Sequence, residues 1–264
     1  MNFTLFLICN ICLCTFAIVL CFYISKLRKK NVLHLAELSN LHQEKHQLIL
    51  ESVIKAQEDE RRKISADLHD AIGINISTVM LNFSRLEHEL KAIKMPTDFI
   101  SSNLQILENT INTIRAGSYN LYPTSLRESG FIVSLQIIVE RIKNSNQVNI
   151  QLKSEIEEQK INLSPENILQ LFRICQEVLN NILKHSKSKR ISINLSKVDE
   201  QLLIIFKNDG IPFSSAQANH LIKQNNGLGL ASITNRVNLI NGEINYFREN
   251  NYNLTKISVL NKNP

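Results

Sequence analysis

Residues 58–75 read EDERRKISADLHDAIGIN, from Glu58 to Asn75, and the rest of the chain is organised around them. Apolar side chains recur at Ile64, Leu68, Ile72, Ile76, Val79, Phe83, Leu86, Leu90 and Ile93, three or four residues apart. That spacing predicts a long helix with one continuous, narrow apolar stripe, suited to a helical bundle. His69 and Asp70 fall just off the stripe, beside Leu68, where their polar ends reach solvent or a visiting substrate. A carboxylate beside an imidazole can hold its proton and make the ring a better nucleophile. A two-residue pattern is weak by itself, and a His-Asp pair is ordinarily a solvated helix face.

Downstream, Met95-Pro96 stops the helix, and Thr97 or Asp98 can cap a second one. This second helix carries Ile100, Leu104, Leu107, Ile111 and Ile114 in alternating steps of four and three. Two striped helices joined by a short turn cannot bury their stripes alone, so the sequence predicts a dimeric four-helix bundle. Gly117 to Pro123 ends the hairpin, and an overlapping connector segment, LYPTSLRESGF, runs from Leu121 to Phe131.

Beyond Gly130 helical and alternating patterns follow each other. Helices are expected over Phe131–Lys143, from Ser164 and Pro165 to about His185, and over Leu230–Ile240. Strands are expected over Val148–Lys153, Arg190–Ser196, Leu202–Lys207, Glu243–Phe247 and Lys256–Leu260. A mixed sheet with helices on one face is an α/β sandwich of single-domain size.

Three segments of this region stand out. QEVLNNILKHS (Gln176–Ser186) places Glu177, Asn181 and Lys184 at i, i+4 and i+7 on one helix face, next to a second asparagine, Asn180. KNDGIPF (Lys207–Phe213) ends a strand with Asn208, Asp209 and Gly210, a turn sequence in its own right. NNGLGLASITNRV (Asn225–Val237) puts Gly227, Leu228, Gly229 and Leu230 at a helix start, where backbone N–H groups favour phosphate.

Together, the histidine box ERRKISADLHD (Glu60–Asp70), the connector and these three segments resemble sensor histidine kinases of bacterial two-component systems. The resemblance is to the subgroup with the box E-R-x-R-I-x-x-x-L-H-D, whose partners are helix-turn-helix (LuxR-type) response regulators. The C-terminal segments resemble the ATPase fold shared with gyrase-type topoisomerases, Hsp90-type chaperones and mismatch-repair ATPases. The resemblance implies that ATP and Mg²⁺ bind the C-terminal domain and that the γ-phosphate moves to His69. Asp70 would hold the other ring N–H, and Glu177 would orient a metal-bound water. Asn181 would ligate the phosphate-bound Mg²⁺, and Lys184 would meet a phosphate. Asn180, Asn208, Asp209, Gly210, Gly227, Leu228, Gly229 and Leu230 would complete the ATP site.

The second segment departs from the family's D-x-G-x-G. Asn208 stands where an Asp receives the adenine amino group, and Pro212 stands at the second Gly. Asn208 can still accept through its carbonyl oxygen, or Asp209 can substitute. Ser214 to Gln224 is expected to be the mobile lid. Ile74 stands where this subgroup often has the Gln that orients water for phosphatase chemistry, which predicts weak phosphatase activity. A degenerate kinase acting as a membrane-anchored scaffold is the alternative, and a chaperone-type ATPase clamp is disfavoured by the histidine box.

The 264 residues have a net charge of +6, with no basic arm interleaved with aromatics, so direct nucleic-acid binding is not expected. Phe3 to Ile24 holds 22 residues without a charge, followed by Lys26, Arg28, Lys29 and Lys30. This predicts a single-pass transmembrane helix in the cytoplasmic (inner) membrane, N-terminus outside and catalytic domains cytoplasmic. Cys9, Cys12, Cys14 and Cys21 lie in that run and Cys175 stands alone, which excludes a disulfide scaffold. Leu27 to Gln57 reads as an imperfect coiled coil with Leu38, Leu41 and Leu48 as its seam. The expected domains are an anchor (1–25), a linker (26–57), a dimerisation and phosphotransfer domain (58–125) and an ATP-binding domain (126–264). The expected partners are a second copy, the membrane and a cytoplasmic response regulator with a receiver domain.

Overall fold

The computed structural model describes residues 2–145, 148–224 and 228–262. Within the helices, the side chains of residues 2–21, 24, 32, 36, 43, 46, 69, 71 and 120 lie outside that description. The chain divides into two compact units, residues 1–57 and residues 58–264.

The first unit is a helix, the N-terminal part of α1 (Asn2–Asp67). Its candidate seam residues Leu38, Leu41 and Leu48 are all exposed. Among the described residues no helix is long and apolar enough to cross a membrane. The span expected over residues 3–24 rests mostly on side chains outside the described residues.

The second unit begins with the end of α1. The chain then runs through a π-helical segment, Leu68–Gly73, into α2 (Ile74–Ala92). The expected uninterrupted α-helix is thus corrected by one wide turn. Ile64, Leu68, Ile72 and Ile76 are three successive steps of four, which outrun an α-helix of 3.6 residues per turn. A wider turn with i→i+5 hydrogen bonds takes up the lag and keeps the stripe on one side. Past Lys94, which adopts φ 56°, α3 (Asp98–Leu121) folds back against α2. Thr97 is the N-cap residue but makes no side-chain capping bond. Helix α3 ends at Leu121, inside the stretch Gly117 to Pro123 expected to close the hairpin, with Gly117 itself still helical. Ser65 and Ser118 clasp the base of the hairpin, with hydroxyls 2.7 Å apart and each also donating to the other's carbonyl.

A short α4 (Thr124–Glu128) leads through Gly130 into α5 (Phe131–Asn144). Gly130 sits at φ 91° and ψ −178°, a region that only glycine occupies without strain. The bare first turn of α5 is capped from a distance. Glu158 accepts from the N–H of Phe131 at 2.6 Å and of Ile132 at 2.8 Å. A carboxylate there satisfies two orphan donors and complements the helix dipole.

The remaining elements are β1 (Asn149–Ser154), α6 (Pro165–His185), β2 (Arg190–Val198), β3 (Gln201–Asn208), α7 (Ser215–Lys223), α8 (Leu228–Leu239), β4 (Glu243–Glu249) and β5 (Tyr252–Leu260). The five strands form one sheet in the order β1-β2-β3-β5-β4, with β1 parallel to β2 and the other pairs antiparallel. Alternate residues of the central strands, Ile191, Ile193, Leu195, Leu202, Ile204, Phe206, Ile257 and Val259, are buried on one face. That period of two brings them against Phe131 and Leu135 of α5, Leu171, Phe172, Ile174 and Val178 of α6, and Ile233 of α8. Each fully buried aliphatic or aromatic side chain contributes about 1.5–3 kcal/mol. Several of them fix α6 on the sheet, and a helix so held can aim polar side chains from its other face. Ser164 caps α6 by accepting from Asn167 N–H, with Pro165 at the first helical position.

Candidate functional site: a cavity between two helices and two strand ends

A cavity of ≈ 410 Å³ opens where the C-terminal half of α6, the start of α8 and the ends of β3 and β5 meet. That is a size expected of small-molecule sites. Asn181 and His185 of α6, Leu228, Gly229 and Leu230 of α8, and Asn208 and Pro212 after β3 line it. Tyr246 of the edge strand β4 and Asn253 and Thr255 of its neighbour β5 line it from the sheet, and Leu221 of α7 from the side.

At one end α6 and α8 approach closely. A Cβ at Gly229 would overlap Glu177 Oε1 and stand 3.4 Å from Asn181 Oδ1. Glycine therefore lets the carboxylate and the amide oxygen, one helical turn apart, converge on the backbone that opens α8. Asn181 Nδ2 is buried without a hydrogen-bond partner among the described residues. A buried unpaired donor is costly and calls for a ligand. Lys184 and Asn180 are exposed and do not line the cavity. Gly227, expected at the same helix start, lies outside the described residues.

The other end is built by the turn after β3. Asn208 is 3% exposed, and its Oδ1 accepts from Gly210 N–H at 3.1 Å, Ser188 Oγ at 2.9 Å and Asn253 Nδ2 at 3.1 Å. The expectation that this oxygen would receive a base amino group is corrected, because three internal donors already occupy it. Asp209 is corrected as well. Its carboxylate turns to the start of β2, accepting from the N–H groups of Lys189 and Arg190, each at 2.9 Å, and pairing with the Arg190 guanidinium at 3.2 Å. Burial alone would push this carboxyl up, but those hydrogen bonds outweigh it and hold it below the usual range. Asn253 pins the turn from β5, donating towards Gly210 O at 3.2 Å and Ile211 O at 2.8 Å and accepting from Phe213 N–H at 3.1 Å.

The segment expected to be a mobile lid contains the helix α7. Ser214 caps it by accepting from Gln217 N–H, and Ser215 ties it to β4 through Tyr246 O at 3.0 Å and Tyr246 N–H at 3.1 Å. Burial raises the Tyr246 phenol far above its ordinary value, so it is a neutral donor or acceptor at any physiological pH.

His185, Tyr246, Asn253 and Thr255 were missed as candidates. The signal for the last two was in β5, where the inward positions 253, 255, 257 and 259 read Asn, Thr, Ile, Val. Two polar residues facing a core direction mark a site. Cys175 is buried in α6, and burial pushes its thiol far up, so it is a packing residue. Among the described residues no three His, Cys, Asp or Glu side chains converge as a metal cluster.

His69 occupies the second position of the π-helical turn, and its side chain lies outside the described residues. Asp70, the next residue, is exposed. Eleven residues upstream of His69, Glu58 is 6% exposed and meets two buried arginines from the sheet-covering helices. Arg173 of α6 donates to both carboxylate oxygens at 2.9–3.2 Å, and Arg236 of α8 to Oε1 at 2.9 Å. Arg173 also donates to Leu121 O at the end of α3, and Arg236 to Gln170 Oε1. The buried cluster thus joins the hairpin to the sheet layer within one unit. Burial pulls both guanidinium values down, and the Glu58 charge opposes that.

The chain is similar to two proteins named "Signal transduction histidine-protein kinase/phosphatase DegS". Identity is 28% over 195 residues with that of Bacillus subtilis (strain 168), covering 72% of this chain and 50% of the relative. With that of Brevibacillus brevis it is 25% over 196 residues, covering 73% and 48%. The chain therefore spans about half the length of these relatives. A solved histidine kinase domain from Erythrobacter litoralis EL346 blue-light activated histidine kinase aligns with TM-score 0.44 at 16% identity, over 70% of this chain and 96% of that one. Residues 166–260 match the family described as "Histidine kinase-, DNA gyrase B-, and HSP90-like ATPase". The matched segment lies in the α/β part of the chain that follows the helical region, and the cavity lies within it.

Proposed function

We propose that this protein is a sensor histidine kinase that transfers the γ-phosphate of ATP to His69 and then to an aspartate of a response regulator. The observation that carries the reading is the convergence of Glu177 and Asn181 on Gly229, at a helix start beside a nucleotide-sized cavity. Negative phosphate is favoured there by the helix N-terminus. A carboxylate and an amide oxygen side by side fit Mg²⁺, which takes one or two protein oxygens and leaves the rest to phosphates and water. Asn181 and Glu177 would hold it. When bound, Mg²⁺ neutralises charge that develops on the transferred group.

The chain's own groups supply the rest. Asn181 Nδ2 is a buried donor, unpaired among the described residues, on a residue that lines the cavity, and the apolar wall of Val178, Ile182, Ile211 and Phe213 would exclude water from the base. Asp70 holds one ring N–H of His69, which leaves the other nitrogen's lone pair for attack. Positioning of the reacting atoms does most of the work in such transfers.

The proposal extends to the assembly. The protein is a homodimer whose paired hairpins form a four-helix bundle, supported by the half-exposed stripe on α2. It is anchored by residues 3–24 and docks a helix-turn-helix (LuxR-type) regulator, as the histidine box implies. Incubation of the full chain with γ-labelled ATP and Mg²⁺, beside His69→Gln, tests the core of this. Acid-labile, base-stable label on the wild type alone is expected. Nucleotide binding without label on either protein would overturn the kinase reading in favour of a scaffold.

A further inference from the structure

The base end of the cavity carries a hydrogen-bond pattern that the sequence did not reveal, and its reading rests on the nucleotide site proposed above. Asn208 is nearly enclosed, lines the cavity, and has its Oδ1 fixed inward by three donors. The Gly210 backbone N–H settles which end of the amide points inward, because an N–H can meet only the oxygen. Nδ2 makes no hydrogen bond among the described residues, so the group left for a ligand is a donor. Asn253, its cross-strand partner, spends both ends of its own amide on the turn and on Asn208.

Thr255 stands two residues further along β5 on the same inward side, a diagonal neighbour of Asn208 across the strand pair. Its hydroxyl rotates and can donate or accept. A fixed donor beside an adaptable hydroxyl matches two purine edges. For adenine, Asn208 donates to N1 and Thr255 accepts from the exocyclic amino group. For a 6-oxopurine, Asn208 donates to O6 and Thr255 accepts from N1–H. A carboxylate at 208 would be an acceptor only and would repel the 6-oxo group.

We propose that Asn208 makes this cavity tolerant of the purine's 6-position, so that it binds 6-oxopurine nucleoside triphosphates about as well as ATP. Inosine triphosphate is the clean probe, because its base differs from adenine only at that edge. The experiment is calorimetric titration of the full chain in detergent with Mg²⁺ and either ATP or inosine triphosphate, beside Asn208→Asp. The wild type is expected to bind the two within about tenfold of each other. Asn208→Asp is expected to shift the ratio towards ATP by at least about tenfold, the range of one mispaired buried hydrogen bond. A wild-type preference for ATP above tenfold would overturn the proposal, and so would an unchanged ratio in a folded Asn208→Asp. If that variant does not fold, the wild-type ratio alone decides. Failure of the wild type to bind either nucleotide would instead remove the nucleotide site, and the proposal with it.

Discussion

Adding one methyl group at Gly229 tests the phosphate end of the cavity, because a Cβ there overlaps Glu177 Oε1. The far end of a flexible carboxylate can swing aside, so Gly229→Ala should fold with a thermal midpoint within a few degrees of wild type. Nucleotide affinity, read by titration, should fall at least about tenfold, since the displaced oxygen is worth one charge-assisted hydrogen bond. At the other end Asp209 gives a pH signature. Its folded-state value is depressed, so its stabilisation is present above about pH 3.9 and is lost as pH falls through the folded value. Asp209→Asn should therefore cost about 1 kcal/mol at pH 7 in urea titrations, with the difference from wild type shrinking below pH 4. Ile74, exposed near the start of α2, supports a third prediction. Ile74→Gln should speed loss of phosphate from phospho-regulator several-fold in a coupled assay, and an unchanged rate would dissociate this position from phosphatase chemistry.

At the scale of elements, the Glu58 cluster ties the end of α1 to α6 and α8. Removing the carboxylate leaves Arg173 and Arg236 buried side by side, and breaking a buried pair this way costs about 3–5 kcal/mol. Glu58→Ala should lower the urea midpoint accordingly, and Glu58→Gln should recover part by keeping hydrogen-bond acceptance. Glu58 lay in the deciding stretch, yet nothing in a linear pattern says that a polar helix residue will meet an arginine 115 positions later. The β2–β3 hairpin was legible for the opposite reason. Its inward Ile191, Ile193, Leu195, Leu202, Ile204 and Phe206 alternate without a break, and alternation is a local property. Helix α6 was legible from its Ser-Pro start, whereas α7 was not, because its Ser214 cap precedes a polar stretch that reads as loop. The roles of Asn208 and Asp209 were misread because a hydrogen-bond partner is set by tertiary packing, which composition does not encode.

Considering the whole molecule, the hairpin leaves apolar surface that a single chain does not cover. Helix α2 has no buried residue, and Ile72, Val79 and Leu86 are 41%, 41% and 45% exposed along one stripe. Covering such side chains gains roughly 25 cal/mol per Å² of apolar area, which is the driving force for the proposed dimer. Val79→Asp with Leu86→Asp should convert a dimer into a monomer in light-scattering chromatography and leave the ≈ 410 Å³ cavity able to bind nucleotide. A dimer that survives both changes would place the contact elsewhere.

The π-helical turn at Leu68–Gly73 also makes the rod behind it a screw with slack in one thread. If that turn tightened into an α-turn, α1 would rotate against α2 by roughly one residue's worth, about 100°, and the helix would lengthen by about 1.5 Å. The slack lies at the turn that carries His69. Tightening of that turn would carry residue 69 around the helix axis relative to α2.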